Sequence, residues 1–364
     1  MSYTIEIYRR HQKAVRHLGQ FALFVMFYPQ LVAGPIERPQ NLLSQLQTEQ
    51  HFNSQRVASG LQLMTWGLFK KVVIADRLAI LVNTVYTNPS QYTGFELLIA
   101  TFFFTFQIYC DFSGYSDIAL GAAQVMGFTL MQNFRRPYLA TSISDFWSRW
   151  HISLSTWFRD YLYIPLGGNR VGLWRWQFNL LFVFLVSGLW HGASWTFVLW
   201  GALHGLYLIS EIWLGKLASL INQAINPKKL HNLINPTISR NVIRLLKWCG
   251  VFIFVMYAWV FFRAENLQDS IYIISHISIA NANFNRISVL IGGNIELFFA
   301  FALIVGLLAV EIYQQHSLAF GSLRQQIRQL PLWSRFALYY LSVMMILILG
   351  KFFNAEADFI YFQF

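Results

Sequence analysis

Charge is what this sequence has least of. Asp, Glu, Lys and Arg make up only 12% of the 364 residues, whereas 56% are hydrophobic; an ordinary soluble domain carries roughly 25% charged residues. Water is therefore not the main solvent. Acidic residues are scarcer than basic ones, 16 against 27, for a net charge of +11. The Lys and Arg are scattered through polar connections rather than gathered on one domain. Anionic lipid headgroups and the positive-inside bias account for them, and no nucleic-acid partner is expected. Cysteine is nearly absent: Cys110 ends one apolar run and Cys249 lies within another. Neither a disulfide framework nor a zinc site is expected. GxSxG, CxxC, HExxH and phosphate-loop patterns are missing, and His151, His191 and His204 are too scattered to predict a metal site. Residues 1–10 form neither a signal peptide nor an anchor, because no apolar core follows until about Phe21. The sequence has no internal repeat, low-complexity segment or soluble domain.

What it does have is long apolar runs. Residues 94–110, 195–214, 245–262, 297–313 and 336–353 have the roughly 17–25 residues a helix needs to cross the hydrocarbon core. Backbone exposed to lipid must satisfy its own hydrogen bonds, so the predicted fold class is all-α, a polytopic integral membrane helical bundle, with residues 1–364 forming one domain. Shorter pieces surround the spans. The run 21–36, interrupted by Pro29, Gly34 and Pro35, reads as re-entrant or kinked, and 37–56 as a loop with a surface helix. Residues 57–86 are amphipathic around Lys70, Lys71, Asp76 and Arg77, which suits a helix at the interface or inside the bundle. Its lysines either snorkel or meet an anionic donor group. The run 94–110 leads straight into Asp111-Phe-Ser-Gly114-Tyr-Ser-Asp117, which predicts a helix interrupted at Gly114.

Two histidines stand out. A helix starting near Ile143, capped by Ser142 or Ser144, places Trp147, Trp150, His151, Leu154, Trp157, Phe158 and Tyr161 on one face and ends at Pro165, Gly167 and Gly168. Its Trp and Arg content suits an interfacial helix at the membrane boundary. The run 177–190 is short for a crossing and delivers His191 to a turn where Gly188 and Gly192 allow close approach. If 177–190 and 195–214 both cross, the basic stretches 135–175 and 222–247 share a cytoplasmic face. If His191 instead marks a re-entrant turn, they do not. His204 is either a packing residue or lines a channel, and the aromatic end 359–364 reads as an interfacial anchor.

A titratable ring among tryptophans costs desolvation energy unless it is used or bonded. Neutral histidine accepts a proton near physiological pH, so His191 is a candidate general base for a hydroxyl that attacks an acyl thioester. The resulting oxyanion needs a donor, which His151 or a backbone N–H beside Gly192 could supply. Ser187 or Ser194 as a nucleophile lacks the nucleophile-elbow context. From another class, a transporter would line its path with breaks at Pro29, Gly114 and His191, and a non-catalytic scaffold is a third reading.

The order Tyr28-Pro-Gln-Leu-Val-Ala-Gly-Pro35, Asp111-Phe-Ser-Gly-Tyr-Ser-Asp117, Phe146-Trp-Ser-Arg-Trp-His151-Ile-Ser-Leu-Ser155 and Gly188-Leu-Trp-His191-Gly192 resembles the membrane-bound O-acyltransferase family. The likeness is strongest to its bacterial polysaccharide branch, the alginate O-acetyltransferase type, and extends over nearly the whole chain. It implies a bundle with a funnel or channel in the inner membrane. Through it, an acyl group from a cytoplasmic thioester, acetyl-CoA or another, reaches hydroxyls of an exported polysaccharide, with no permanently bound cofactor. It implies that His191 is the essential histidine and His151 the supporting one. A periplasmic or membrane-anchored acetyltransferase partner is also implied. Relatives carry further membrane helices ahead of the segment similar to residues 1–10, so the chain is expected to begin part-way into the family fold.

Overall fold

The computed structural model describes residues 1–224, 236–280, 282–316, 326, 327 and 329–352, and every regular element among them is helical. Lys228, Lys229 and the aromatic stretch 359–364 lie outside the described residues.

The bundle is built on one long helix. Counting α1 (Ser2–Tyr8), α2 (Leu18–Met26), α3 (Pro39–Leu46), α4 (Ser54–Leu68) and α5 (Asp76–Thr87) in chain order, α6 runs unbroken from Gly94 to Met126. Its 33 residues span about 50 Å. A capping box starts it, with the Thr93 amide donating to Glu96 at 2.7 Å, and Gly127 at φ +103° ends it. A π-helical segment, Phe69–Ala75, joins α4 to α5 so that residues 54–87 form one helical rod.

That rod packs against α6 at glycines. Gly60 faces Gly121 and Gly67 faces Gly114, so closely that a Cβ at Gly114 would meet the Gly67 carbonyl oxygen. Gly114 therefore marks a helix crossing and not the expected interruption. The helix stays intact because the rod neutralises its carboxylates: Lys70 Nζ lies 2.9 Å from Asp117 and donates to Ser113 at 2.7 Å, while Lys71 Nζ lies 2.6 Å from Asp111 and 2.9 Å from Asp76. Consecutive residues of an α-helix point about 100° apart, yet from the π segment both lysines reach α6. Lys70 is 4% exposed, so it does not snorkel, and the anions these lysines meet belong to the chain. The permeation path through breaks at Pro29, Gly114 and His191 loses its middle point.

Other long helices surround this pair. α9 (Leu173–His191) and α10 (Trp195–Ala224) form an antiparallel hairpin, closed by small residues where Gly188 abuts the Phe197 carbonyl and Gly201 the Phe184 carbonyl. Its base is marked by Trp174 and Trp213, with ring centroids 6.4 Å apart. The 19 residues of α9 rise about 28 Å, close to the ~30 Å hydrocarbon thickness. α10, with 30 residues, runs on past the 19 residues of α9; Arg175 and Lys216 lie near the base and His191 at the tip.

α11 (Pro236–Arg263) packs on α6 and α10; α12 (Leu267–His276), α13 (Phe284–Ile291), α14 (Asn294–His316) and α15 (Leu332–Leu349) complete the bundle. Among the described residues, five helices are long and apolar enough to cross a membrane: Gly94–Met126, Trp195–Leu220, Asn241–Arg263, Asn294–His316 and Leu332–Leu349. Each contains most or all of one predicted run. At the N-terminus the run 21–36 is broken as expected, since α2 stops at Met26 and Pro29 opens a single 3-10 turn. Beyond it, α3 turns Leu42 and Leu43 into the core.

Candidate active site

His151 does not sit on a continuous helix face. Ser142 caps a helix at Ile143, as predicted, by accepting the Asp145 amide, but that helix, α7, ends at Trp147. α8 (Ile152–Phe158) begins after His151 and runs into a π turn at Arg159–Tyr163. At the break, His151 has φ +41° and ψ +53°, in the left-handed region that β-carbon sterics disfavour. The turn is held from behind by Asn133, which is fully buried. Its backbone carbonyl accepts the Ile152 amide at 2.9 Å, its Oδ1 accepts the Ser153 hydroxyl at 2.6 Å, and its Nδ2 donates to Ser116 at 3.2 Å. Ser153 Oγ in turn accepts the Ile36 amide at 3.0 Å. A strained residue held by several partners is a common feature of functional sites.

The imidazole itself is held by packing. Phe112 on α6 meets it edge to face, 4.7 Å between centroids, and Trp190 lies 6.4 Å away. Its Nδ1 is buried with no hydrogen-bond partner, an arrangement that costs free energy in a purely structural residue. Burial, and next to it the charge His191 would carry, hold the His151 imidazole well below the usual histidine range, so it is neutral at physiological pH.

His191 is the last residue of α9 and lies in an aromatic box. Trp190, Trp200 and Phe262 stand edge to face with it at 4.9, 5.1 and 5.1 Å, and Phe197 lies at 6.4 Å. The ring is half-buried, and Trp190, the neighbour it shares with His151, is 51% exposed. The structure thus brings together two histidines 40 residues apart in sequence. One comes from a strained turn against α6, the other from a hairpin tip.

Other sequence candidates go elsewhere. His204 is fully buried, accepts the Trp147 Nε1 proton at 3.3 Å and stacks on Phe146; its Nε2 is buried without a partner, as His151 Nδ1 is, but aromatic packing and the Trp147 bond hold the ring away from the His151–Trp190–His191 cluster. Ser194 accepts the Thr196 amide at 3.3 Å ahead of α10. Both cysteines are free thiols. Among the described residues no group of three or more His, Cys, Asp or Glu is placed to hold a metal ion.

Three groups stand outside the sequence motifs. Asn133 lies in a polar connection, and nothing local distinguishes it. The box around His191 draws Trp200 and Phe262 from separate helices, so no local motif shows it. Glu311, inside the span 297–313, carried a readable signal, since an ionisable residue within a span calls for a partner; it is buried and accepts the Tyr109 hydroxyl.

The chain matches the profile of the membrane-bound O-acyltransferase family over residues 8–260. It is 42% identical over 268 residues to a probable alginate O-acetylase of Pseudomonas putida, covering 74% of this chain and 51% of that protein. A peptidoglycan O-acetyltransferase of Helicobacter pylori is 38% identical over 260 residues, 71% of this chain and 46% of its own length. A teichoic acid D-alanyltransferase of Bacillus subtilis is 27% identical over 208 residues, 52% of this chain and 51% of its own length. The chain spans about half the length of the curated relatives it matches.

Proposed function

The chain belongs to the membrane-bound O-acyltransferase family, and on that premise we propose that it is an integral inner-membrane O-acyltransferase whose residues 1–364 act as one catalytic unit. It moves an acetyl group from a thioester donor, acetyl-CoA or another, to hydroxyls of an exported polysaccharide. The observation that carries this reading is the convergence of His151 and His191 on Trp190, with a buried His151 nitrogen left unpartnered.

In the proposed reaction neutral His191 takes the proton of the acceptor hydroxyl as its oxygen attacks the thioester carbonyl. The tetrahedral intermediate carries a negative oxygen, and a neutral His151 ring donates a hydrogen bond to it. Collapse breaks the carbon–sulfur bond, and the thiolate leaves with the proton held on His191. The low-polarity box favours the neutral base before the hydroxyl arrives, and the half-exposed Trp190 marks the way in. Membrane lipids surround the bundle, and a periplasmic or membrane-anchored acetyltransferase partner is proposed to receive or finish the transfer.

The test is labelled acetyl transfer from acetyl-CoA to cell-envelope polysaccharide, for this chain and for a form extended upstream in its own genome, each with His191 intact and replaced by Ala. Transfer that vanishes in H191A, while membrane insertion persists, supports the reading. Undiminished transfer in H191A refutes the assignment.

A further inference from the structure

α15 is loosely held. Of its residues only Ile346 is buried, packed with Val72 and Val73; the Leu349 carbonyl accepts from Arg77, and the Gln62 side-chain amide meets the Tyr339 hydroxyl at 2.6 Å. These contacts run in the same order along both chains, so α15 lies parallel to the rod and its first turn comes level with the start of α4. There a cavity of about 330 Å³ opens between the two helices, lined by Ser54, Gln55, Ala58, Gln62 and Arg335. Its volume is at the lower end of the roughly 300–1,000 Å³ of small-ligand sites. Arg335 is the one charged residue in that lining, and among the described residues no carboxylate pairs with it. A guanidinium without a counter-charge in a polar cavity favours an anion.

The cavity lies at a membrane boundary. The 18 residues of α15 rise about 27 Å, close to the hydrocarbon thickness, and Arg335 falls in the first turn beside Trp333, which is 75% exposed in the place of an interfacial aromatic. Leu61 and Phe336, each about half exposed, adjoin the lining residues Gln62 and Arg335 and offer an apolar flank to an acyl chain. Asn83 and Tyr86, at the far end of the rod, meet Arg263 at the close of α11. The start of α11, with Arg244 and Lys247, therefore lies on the Ser54 side, which the positive-inside rule makes cytoplasmic. Basic pockets between helices on that side suit acidic lipid headgroups. The lining holds no acid to receive an ammonium, so choline or ethanolamine finds no partner there, whereas Ser54 and Gln55 can bond headgroup hydroxyls.

We propose that this cavity binds the headgroup of an anionic phospholipid, with its phosphodiester on Arg335 and its hydroxyls on Ser54 and Gln55, so that a lipid fills the gap between α4 and the first turn of α15. The full chain in a non-ionic detergent is titrated with phosphatidylglycerol, phosphatidylcholine or soluble glycerol 3-phosphate. Bound molecules are counted by native mass spectrometry in wild type, R335Q, R335K, A58W and R175Q, the last removing an exposed arginine at the base of the hairpin.

Wild type and R175Q should hold one phosphatidylglycerol roughly tenfold tighter than phosphatidylcholine, the range of one charge-assisted hydrogen bond. R335Q should abolish that preference, and R335K, which keeps the charge without the fork, should retain part of it. A58W, which fills the cavity and leaves the arginine in place, should lose the bound lipid. Equal affinity of wild type for the two lipids would overturn the proposal, as would a preference that survives in R335Q or A58W, or a loss as large in R175Q. Displacement of the lipid by an equal concentration of glycerol 3-phosphate would overturn it too, because the ligand would then be a free phosphate and not a lipid.

Discussion

Asn133 Oδ1 accepts the Ser153 hydroxyl at 2.6 Å, and the same residue's carbonyl holds the Ile152 amide at 2.9 Å. One buried amide therefore fixes the chain on the far side of the left-handed His151. Asn133→Ala keeps the backbone bond but strips the buried Ser116 and Ser153 hydroxyls of a partner. The expected loss is about 1–3 kcal/mol, read as a lower thermal midpoint in detergent. Acyl transfer per folded molecule should fall further still, because the His151 ring loses its fixed direction. A midpoint equal to wild type would remove Asn133 from this role.

Lys70→Met should be among the most damaging single changes in the chain. It leaves Asp117 without its 2.9 Å partner in a region where Lys70 itself is 4% exposed. Removing one member of a fully buried ion pair costs about 3–5 kcal/mol, mostly from the charge left behind; Asp117 is 21% exposed and regains some hydration, which puts the expected loss at the lower end of that range. Lys70→Met with Asp117→Asn should therefore recover most of the loss, and a double-mutant cycle on unfolding midpoints measures the coupling. Independent, additive effects would show that the pair does not act as a unit.

These two cases mark where the sequence was readable and where it was not. Run length alone locates the crossing helices, because hydrocarbon thickness sets a minimum that few other constraints mimic. Ser142 is readable as a cap because capping chemistry is local. Gly114 is misleading: polar residues around a glycine read as a break until Lys70 and Lys71, more than 40 residues away in sequence, supply the counter-charges. His151 is legible as an unusual residue but not as a helix break, since the heptad-like spacing of Trp147, Leu154 and Phe158 fits either arrangement. The bond from Asn133 that selects the break is tertiary. Both histidines are legible as candidates for the same reason, their cost among tryptophans.

Gly114→Ala should destabilise although alanine is the better helix former. The added carbon meets the Gly67 carbonyl oxygen, and backbone cannot swing aside as a side chain can, so α4 and α6 must separate. Overpacking of this kind costs about 1–3 kcal/mol. Gly67→Ala should cost a similar amount, and the double variant less than the sum, because one separation relieves both contacts. Denaturation midpoints in a fixed detergent decide it, and wild-type stability in Gly114→Ala would mean that the crossing has room to spare.

His151 also gives the fold an acid sensitivity with a defined sign. Burial and then His191 hold its folded pKa well below the ordinary value of 6.5, so the unfolded chain binds a proton in a range where the folded chain does not. Stability rises with pH wherever the unfolded state holds more protons. This contribution is thus complete above pH 6.5 and is lost as pH falls from there toward the folded pKa, at up to about 1.4 kcal/mol per pH unit. His151→Asn removes the titration and keeps a residue that tolerates positive φ. Between pH 7.5 and 5 the wild type should therefore lose stability faster than the variant, by urea or thermal midpoint at each pH. Parallel curves would mean that the His151 imidazole accepts a proton in the folded protein as readily as in the unfolded one, and would remove the basis for treating it as a neutral hydrogen-bond donor in catalysis.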